Sequence, residues 1–250
     1  MLRVSPRSHL LTMRQRNSPP KIARMLAWLL LLAHHACALV LPPNPSRGRL
    51  SCAAAADDGG AARSQFGTKR YWDDMYDGRG DFSSEEYSWY YGWDVVGPVW
   101  ERFVPDKASR VLLPGAGNDP TLRSLHAAGW RDLRAVDYSA AAVERLKELL
   151  WDLDVDVDVG DLRDLAFEAR NFDAALEKGA LDAVYLAGDG YVEAASDELY
   201  RVLRPGGTLV SVSGVVPPDL RRSCFGEDKW DWLRDGADDL AAGCFVLRRR

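Results

Sequence analysis

The feature that most constrains the fold is a regular alternation of short apolar runs and helical patterns from Phe66 onward. Apolar residues recur at helical spacing in residues 120–129, 139–151 and 192–203. Short, strand-like apolar runs occupy residues 110–113, 133–136, 155–159, 172–176, 208–212, 230–233 and 244–247. This alternation predicts an α/β fold, with a doubly wound, mostly parallel seven-stranded sheet and helices on both faces.

A basic, acid-poor segment precedes this alternating region. Residues 1–64 carry nine Lys/Arg and two Asp/Glu, which leaves 23 basic and 35 acidic residues for the rest of the 250-residue chain. Within that segment, residues 25–41 form an apolar run of signal-peptide length, preceded by Lys21 and Arg24 and short for a membrane span. We therefore expect a targeting leader over residues 1–64, a folded domain over residues 65–250 and no stable membrane span in the mature chain.

The end of the leader is rich in Ser, Ala, Arg and Pro, which is typical of a transit peptide. A signal-like run followed by a transit-like segment resembles the two-part leaders of plastid proteins in algae with complex plastids. We expect entry into a plastid. A secretory signal, a signal anchor, or a cytoplasmic protein with an over-extended gene model remain alternatives.

The composition of the domain excludes several functions. Its acidic balance would repel phosphate backbones, so we expect no nucleic-acid partner, although a basic protein surface would be tolerated. His126 is the one histidine beyond the leader, which argues against a histidine-based hydrolase and a multi-histidine metal site. Cys224 and Cys244 match no zinc spacing. We expect no metal and a monomeric protein.

Two glycines lie at the first strand-to-helix turn. Gly115 and Gly117 follow the strand at 110–113, where glycine lets the backbone tighten and a ligand approach closely. Asp119 can cap the next helix, and Pro120 suits its first position. Pro120 also stands where a dinucleotide fingerprint has its third glycine, which disfavours an NAD(P)-dependent oxidoreductase.

Acidic residues follow the next two strands. Asp137 ends the second strand twenty residues after Gly117, where a carboxylate accepts hydrogen bonds from ribose hydroxyls. Tyr138 follows it and can lie against an adenosine. Asp161 comes just after the third strand, and in methyltransferases of the kind described next an acid there accepts from the adenine amino group.

Glu177 and Lys178 follow the fourth strand, where the sequence reads EKGALDAV. This stretch resembles the signature of the methyltransferase-like 13 family, which includes lysine methyltransferases of elongation factor 1-alpha. YWDDMY at 71–76, YSWYYG at 87–92, GAGND at 115–119 and VDYS at 136–139 match in the same order. The resemblance runs from about Phe66 to the C-terminus. It implies a Rossmann-like methyltransferase fold, S-adenosyl-L-methionine as cofactor, and a protein substrate with an accessible lysine.

The resemblance also implies a set of site residues. Trp72, Tyr76 and Trp89 are expected to close over the cofactor, where aromatic faces attract a sulfonium cation. The residues expected to line the cofactor site are Gly115, Gly117, Asp137, Tyr138, Asp161, Leu162 and Lys178. For Lys178, contact through the backbone and the aliphatic stem is favoured.

A lysine acceptor must lose a proton, and Glu177 is the predicted base, with Asp182 and Tyr191 as alternatives. Departures from the family, including Ala116 in place of a usual cysteine and a short stretch at 187–190, leave the acceptor open. A small-molecule methyltransferase of the type 11 kind and a non-catalytic cofactor-binding module therefore remain alternatives.

Overall fold

The computed structural model describes residues 62–80, 86–236 and 242–250. Most of the predicted leader, residues 1–61, lies outside the described residues. Among the helices of the described residues, none combines the length and the apolar character that a bilayer crossing requires.

The seven strands form one sheet in the order β3-β2-β1-β4-β5-β7-β6. They are β1 Val111–Pro114, β2 Leu133–Asp137, β3 Asp156–Val159, β4 Phe172–Lys178, β5 Leu203–Ser213, β6 Trp230–Asp235 and β7 Gly243–Arg249. Strands β1 to β5 pair in parallel, whereas β7 pairs antiparallel with both β5 and β6. The predicted fold class is confirmed, and each predicted strand matches one of these within a few residues.

Among the described residues, two helices precede the first strand and five lie between later strands. They are α1 Lys69–Asp74, α2 Trp93–Phe103, α3 Thr121–Ala127, α4 Ala140–Leu149, α5 Ala180–Ala187, α6 Tyr191–Val202 and α7 Pro218–Cys224. A 3-10 turn at Gln65–Gly67 precedes α1, and a π turn at Met75–Arg79 follows it. The predicted helices correspond to α3, α4 and α6, while α1, α2, α5 and α7 were not predicted.

Each face of the sheet is covered by its own hydrophobic core. Val111 and Leu113 of β1 belong to one core with Trp100 of α2, whereas Leu112 between them belongs to the other core with Leu181 of α5. Successive residues of a strand point to opposite faces, so a strand that is apolar throughout must be covered on both sides. This burial explains the continuous apolar runs of the sequence.

The order of the strands fixes where a ligand can bind. Strand β1 lies between β2 and β4, so the chain crosses from one side of β1 to the other at this point. Open parallel sheets bind ligands at such a switch point, outside the carboxyl ends of the strands. The residues that follow β1, β2, β3 and β4 therefore share one edge of the sheet.

Candidate active site

The glycine turn after β1 is closely packed. Gly115 and Gly117 have φ angles of +63° and +57°, which L side chains rarely adopt. A Cβ on Gly115 would overlap the Cβ of Ala180 in α5, and one on Gly117 would overlap the hydroxyl of Tyr76. Glycine is thus required at both positions, and the turn touches α5 and the N-terminal segment.

Asp137 links the end of β2 to the glycine turn. Its side chain is buried, with Oδ2 accepting from the Gly117 N–H and Oδ1 from the Ser139 N–H, both at 2.9 Å. Burial raises the pKa of Asp137 to about 6, against the opposing effect of these two bonds. A carboxylate has about four acceptor sites, so this one retains capacity for ribose hydroxyls.

Tyr138, Leu162 and Asp161 complete the edge at β2 and β3. Tyr138 follows Asp137 directly and is half-buried, while Leu162 is buried beyond the end of β3. Both carboxylate oxygens of Asp161 accept from the Arg163 guanidinium, with Nη2 to Oδ2 at 2.7 Å. Hydrogen bonding of Asp161 to an adenine amino group stays a prediction, and it requires the carboxylate to share its acceptor sites with Arg163.

The three predicted aromatic residues form one cluster. Trp72 stacks with Tyr76 at 6.2 Å between ring centroids and meets Trp89 edge-on at 5.4 Å. Tyr76 is buried, and its pKa lies well above the usual value because of burial and the nearby Asp137. The structure therefore brings the aromatic cluster against the glycine turn, while its contact with a cofactor stays a prediction.

Lys178 binds protein groups through its ammonium. Its Nζ lies 2.6 Å from Oδ2 of Asp119 and also donates to the Ser88 hydroxyl and, at 2.8 Å, to the Tyr91 carbonyl. The side chains of Lys178 and Asp119 are 7% and 12% exposed, so this is a nearly buried ion pair. The ammonium charge is balanced locally, which leaves the stem and backbone as the predicted cofactor contacts.

Asp119 also contacts the start of α3, although this helix does not begin at the predicted residue. Its Oδ1 accepts from the Thr121 N–H at 2.9 Å, and α3 begins at Thr121 rather than at Pro120. The residue thus joins a helix start to the Lys178 ion pair.

Glu177 occupies a position that differs from that of a general base. Its side chain is 0% exposed, Oε1 accepts from the Leu181 N–H at 2.8 Å, and Oε2 accepts from the Ser211 hydroxyl at 2.6 Å. Burial raises its pKa to about 7. A base must reach the substrate, whereas this carboxylate binds β5 and the first turn of α5. The geometry favours a structural role for Glu177 over the predicted catalytic one.

Asp182 has more hydrogen-bond partners than sequence reasoning indicated. It accepts from the Tyr90 hydroxyl at 2.6 Å, from the Ser213 hydroxyl at 2.5 Å, and from the backbone N–H groups of residues 214, 215 and 216. Tyr90 itself was not singled out from the sequence. The one signal for it is the aromatic-rich YSWYYG stretch, which does not reveal a partner 92 residues away.

Metal ions have no evident place at this edge. Across the described residues, no group of His, Cys, Asp and Glu side chains is arranged to hold one. The chemistry of the edge comes from carboxylates, backbone N–H groups and aromatic rings.

Comparison with known proteins finds similarity to methyltransferases. A family model described as "Methyltransferase domain" matches residues 112–211. "EEF1A lysine methyltransferase 4" of Bos taurus is 27% identical over 180 residues, which cover 65% of this chain and 67% of the relative. The Mus musculus protein of the same name is 28% identical over 187 residues, which cover 67% and 69%.

A third relative is longer. "eEF1A lysine and N-terminal methyltransferase homolog" of Drosophila melanogaster is 27% identical over 60% of this chain, but the match covers only 23% of the relative. Among solved structures, S-adenosylmethionine-bound CalS10, an amino pentose methyltransferase from Micromonospora echinaspora, matches with a TM-score of 0.52 and 17% identity. That match covers 72% of this chain and 96% of CalS10, and it supports the fold alone.

The family model spans β1 to β5, the part of the chain that carries Gly115, Asp137, Asp161 and Glu177. The curated relatives extend the similarity beyond that stretch. The chain is therefore a class I S-adenosylmethionine-dependent methyltransferase, and it is similar to the EEF1A lysine methyltransferases.

Proposed function

We propose that the chain transfers a methyl group from S-adenosylmethionine to a lysine side chain of a protein. The observation that carries this proposal is the similarity to relatives named for lysine methylation of eEF1A, over about two thirds of this chain for the first two. The acidic balance of the domain supports it, because an acidic surface favours association with a basic protein segment.

In this proposal the residues of the chain bind the cofactor and orient the reactants. S-adenosylmethionine supplies an already activated methyl group on a sulfonium, so the protein chiefly has to position the reactants and exclude water. Asp137 has free acceptor sites for ribose hydroxyls, and Tyr138 and Leu162 offer an aromatic and an apolar surface for the base. The faces of Trp72, Tyr76 and Trp89 suit a cation.

Loss of the lysine proton needs no protein base in this proposal. Glu177 and Asp182 are both buried and hydrogen-bonded within the protein. We infer that the amine reaches the site after giving its proton to water. The rate at low substrate concentration should then rise with pH through the neutral range, as the neutral fraction of the amine grows.

The test uses the protein with radiolabelled S-adenosylmethionine and three acceptor pools: purified eEF1A, a cell lysate, and a protein-free small-molecule extract. We expect label in a protein band and, by mass spectrometry, on a lysine. Label confined to the extract would contradict the proposal and support the small-molecule alternative. Binding of S-adenosylhomocysteine without transfer to any pool would support the binding-module alternative.

One structural observation favours the small-molecule alternative. Helices α5 and α6 are joined only by residues 188–190, so little chain is present there to contact a protein substrate. The extract in the test above is included for this reason.

We also propose, from the sequence of the leader, that the protein enters a plastid, and that it acts as a monomer. A fluorescent fusion of the full chain would test entry into the plastid. The mass measured by light scattering would test the monomeric state. Cytoplasmic fluorescence, or the mass of a dimer, would contradict them.

A further inference from the structure

Residues 87–92, here termed the strap, cross the edge of the sheet from the loop after β1 to the end of β4. The strap contacts the loop after β1 through the Tyr87 N–H and the Asn118 carbonyl, and it contacts the end of β4 through Ser88 and Lys178. Its three consecutive aromatic residues reach three different elements. Trp89 meets Trp72 of α1, Tyr90 binds Asp182 of α5, and Tyr91 binds the backbone of Ala242 before β7.

The backbone of the strap is strained at one residue. Tyr90 has a φ angle of +62°, a left-handed conformation that is unfavourable for a bulky side chain. Such conformations persist only where surrounding contacts determine them, and they cluster at functional sites. Here one of these contacts is the hydrogen bond from the Tyr90 hydroxyl to Asp182, and burial raises the pKa of Tyr90, so the hydroxyl stays a donor.

Asp182 joins the strap to two other elements of the site. It lies in the first turn of α5, and through Ser213 and the N–H groups of residues 214–216 it fixes the loop after β5. Strap, α5 and loop therefore meet at one buried carboxylate. Loss of this carboxylate would remove one contact from all three at once.

This meeting point lies next to the cofactor turn. A Cβ on Gly179 would lie 3.6 Å from the Tyr90 ring and 3.6 Å from the Cβ of Trp89. The next residue, Ala180, packs against Gly115 of the glycine turn. Tyr90 is thus separated from the cofactor turn by one layer of small residues.

We propose that Asp182 and Tyr90 are positioning residues for methyl transfer, which fix the wall between the strap and α5 against which the acceptor amine is oriented. They act on orientation and leave binding of the adenosyl part to the residues after β1, β2 and β3. The inference rests on the proposed function only for the identity of the acceptor.

The chain offers a matched pair of variants to test this role. Tyr90→Phe and Tyr91→Phe each remove one hydroxyl from neighbouring residues of the strap, and each removes one anchoring contact. Only Tyr90 is bound to Asp182; the Tyr91 hydroxyl bonds to Ala242. Asp182→Asn is a third variant, in which the amide would face several N–H donors.

Three quantities are measured for each protein: affinity for S-adenosylhomocysteine by calorimetry, affinity for sinefungin, and kcat and KM for methylation of the acceptor that the radiolabel test identifies. Sinefungin is a donor analogue with an amine in place of the sulfonium methyl, so it reports on the acceptor side without an acceptor. A loss of orientation should lower kcat for Tyr90→Phe by about tenfold or more, with KM changed less than about threefold. Sinefungin binding should weaken about fivefold while S-adenosylhomocysteine binding is retained, and Tyr91→Phe should leave all of these near the wild-type values.

The outcomes separate this inference from the proposed function. Equal losses of kcat in Tyr90→Phe and Tyr91→Phe would overturn it, because the hydroxyl of Tyr90 would then only anchor the strap. A parallel loss of S-adenosylhomocysteine affinity would overturn it as well. Should the wild type methylate no protein, the proposed function is wrong, and an unchanged ratio of sinefungin to S-adenosylhomocysteine affinity would still overturn the inference. A wild type that binds neither ligand would overturn both.

Discussion

The proposed adenosyl side of the site, after β1 to β3, and the proposed acceptor side, around β4 and α5, hold their charged groups in different ways. Asp137 binds backbone N–H groups 20 and 2 residues away, and Asp161 binds Arg163, two residues along the chain. On the acceptor side, Lys178 binds Ser88 across 90 residues, and Asp182 binds Tyr90 across 92. The two carboxylates of the first side thus bind residues within 20 positions of them, whereas Lys178 and Asp182 bind the strap from a distant part of the chain.

This difference has a physical consequence. Local hydrogen bonds form with little loss of chain entropy, whereas contacts across 90 residues depend on the complete fold. Single substitutions on the acceptor side should therefore chiefly affect the stability of the fold and the orientation of the acceptor amine. Those on the adenosyl side should chiefly affect the affinity for the cofactor.

The largest effect is expected for Lys178→Met. Removal of one partner from a nearly buried ion pair leaves Asp119 charged and unpaired, at a cost of about 3–5 kcal/mol in the free energy of unfolding. Urea denaturation measures this loss in the free energy of unfolding. The double variant Lys178→Met with Asp119→Leu should recover most of the loss.

The matched change on the adenosyl side is Arg163→Met, which breaks a local pair with 19% and 24% exposed side chains. Arg163→Met should lower the free energy of unfolding by about 1 kcal/mol. Equal losses for Lys178→Met and Arg163→Met would contradict the division between the two sides.

The next largest effect is expected on the affinity for S-adenosylhomocysteine. Asp137→Ala removes the carboxylate that accepts from the glycine turn and from ribose hydroxyls, and it should weaken S-adenosylhomocysteine binding at least about 100-fold, or about 2.7 kcal/mol. Calorimetry at pH 8 measures this with the wild-type carboxylate ionised, since its pKa is about 6. Asp158→Ala, an exposed acid on β3, is the control. Unchanged affinity in Asp137→Ala would count heavily against the assigned cofactor site.

The same division explains what the sequence could predict. The strands, the glycine turn and Asp137 follow from local patterns and a spacing of twenty residues, and all lie where they were expected. Helix α5 was missed because its apolar residues are buried in a core that only the assembled sheet creates. Glu177 looked catalytic because it ends a strand, whereas its hydrogen bonds to Leu181 and Ser211 depend on tertiary packing.

A smaller effect is expected from the buried Glu177. Its pKa is about 7 in the folded protein against a usual 4.5, so between these pH values the folded state holds a proton that the unfolded state has lost. Stability should therefore fall as pH rises through this window, by about 1–3 kcal/mol. Urea denaturation from pH 4.5 to 8 would show a flatter profile for Glu177→Gln, which keeps an acceptor for Leu181 and a donor for Ser211.

The same variant tests the predicted base. Because Glu177 faces the protein interior, methyl transfer by Glu177→Gln should stay within about threefold of the wild type, whereas loss of a true base lowers kcat by roughly 100-fold or more. A loss of that size with normal stability would restore Glu177 as the catalytic base and contradict the structural role assigned above.

The smallest effect concerns Arg63, which lies two residues before the predicted start of the domain yet contacts the acceptor side. Its guanidinium donates to the carbonyls of Tyr185 and, at 3.2 Å, Gly188, at the C-terminal end of α5, and its N–H donates to the Leu186 carbonyl at 2.7 Å. A cation there binds carbonyls that lack helical partners and complements the helix dipole. Arg63→Ala should therefore lower the free energy of unfolding by about 1 kcal/mol. For a domain of this size, that corresponds to a fall of about 2–4 °C in melting temperature.

The matched control is Asp189→Ala, which removes the other partner of Arg63. Its side chain is 95% exposed, so the loss should be under about 0.3 kcal/mol. Affinity for S-adenosylhomocysteine should be unchanged in both variants, because the described contacts of Arg63 lie on α5 and the loop after it. Weaker cofactor binding in Arg63→Ala would show that α5 couples the two sides through Ala180 and Gly115. A normal melting temperature would instead show that the Arg63 guanidinium adds no stability.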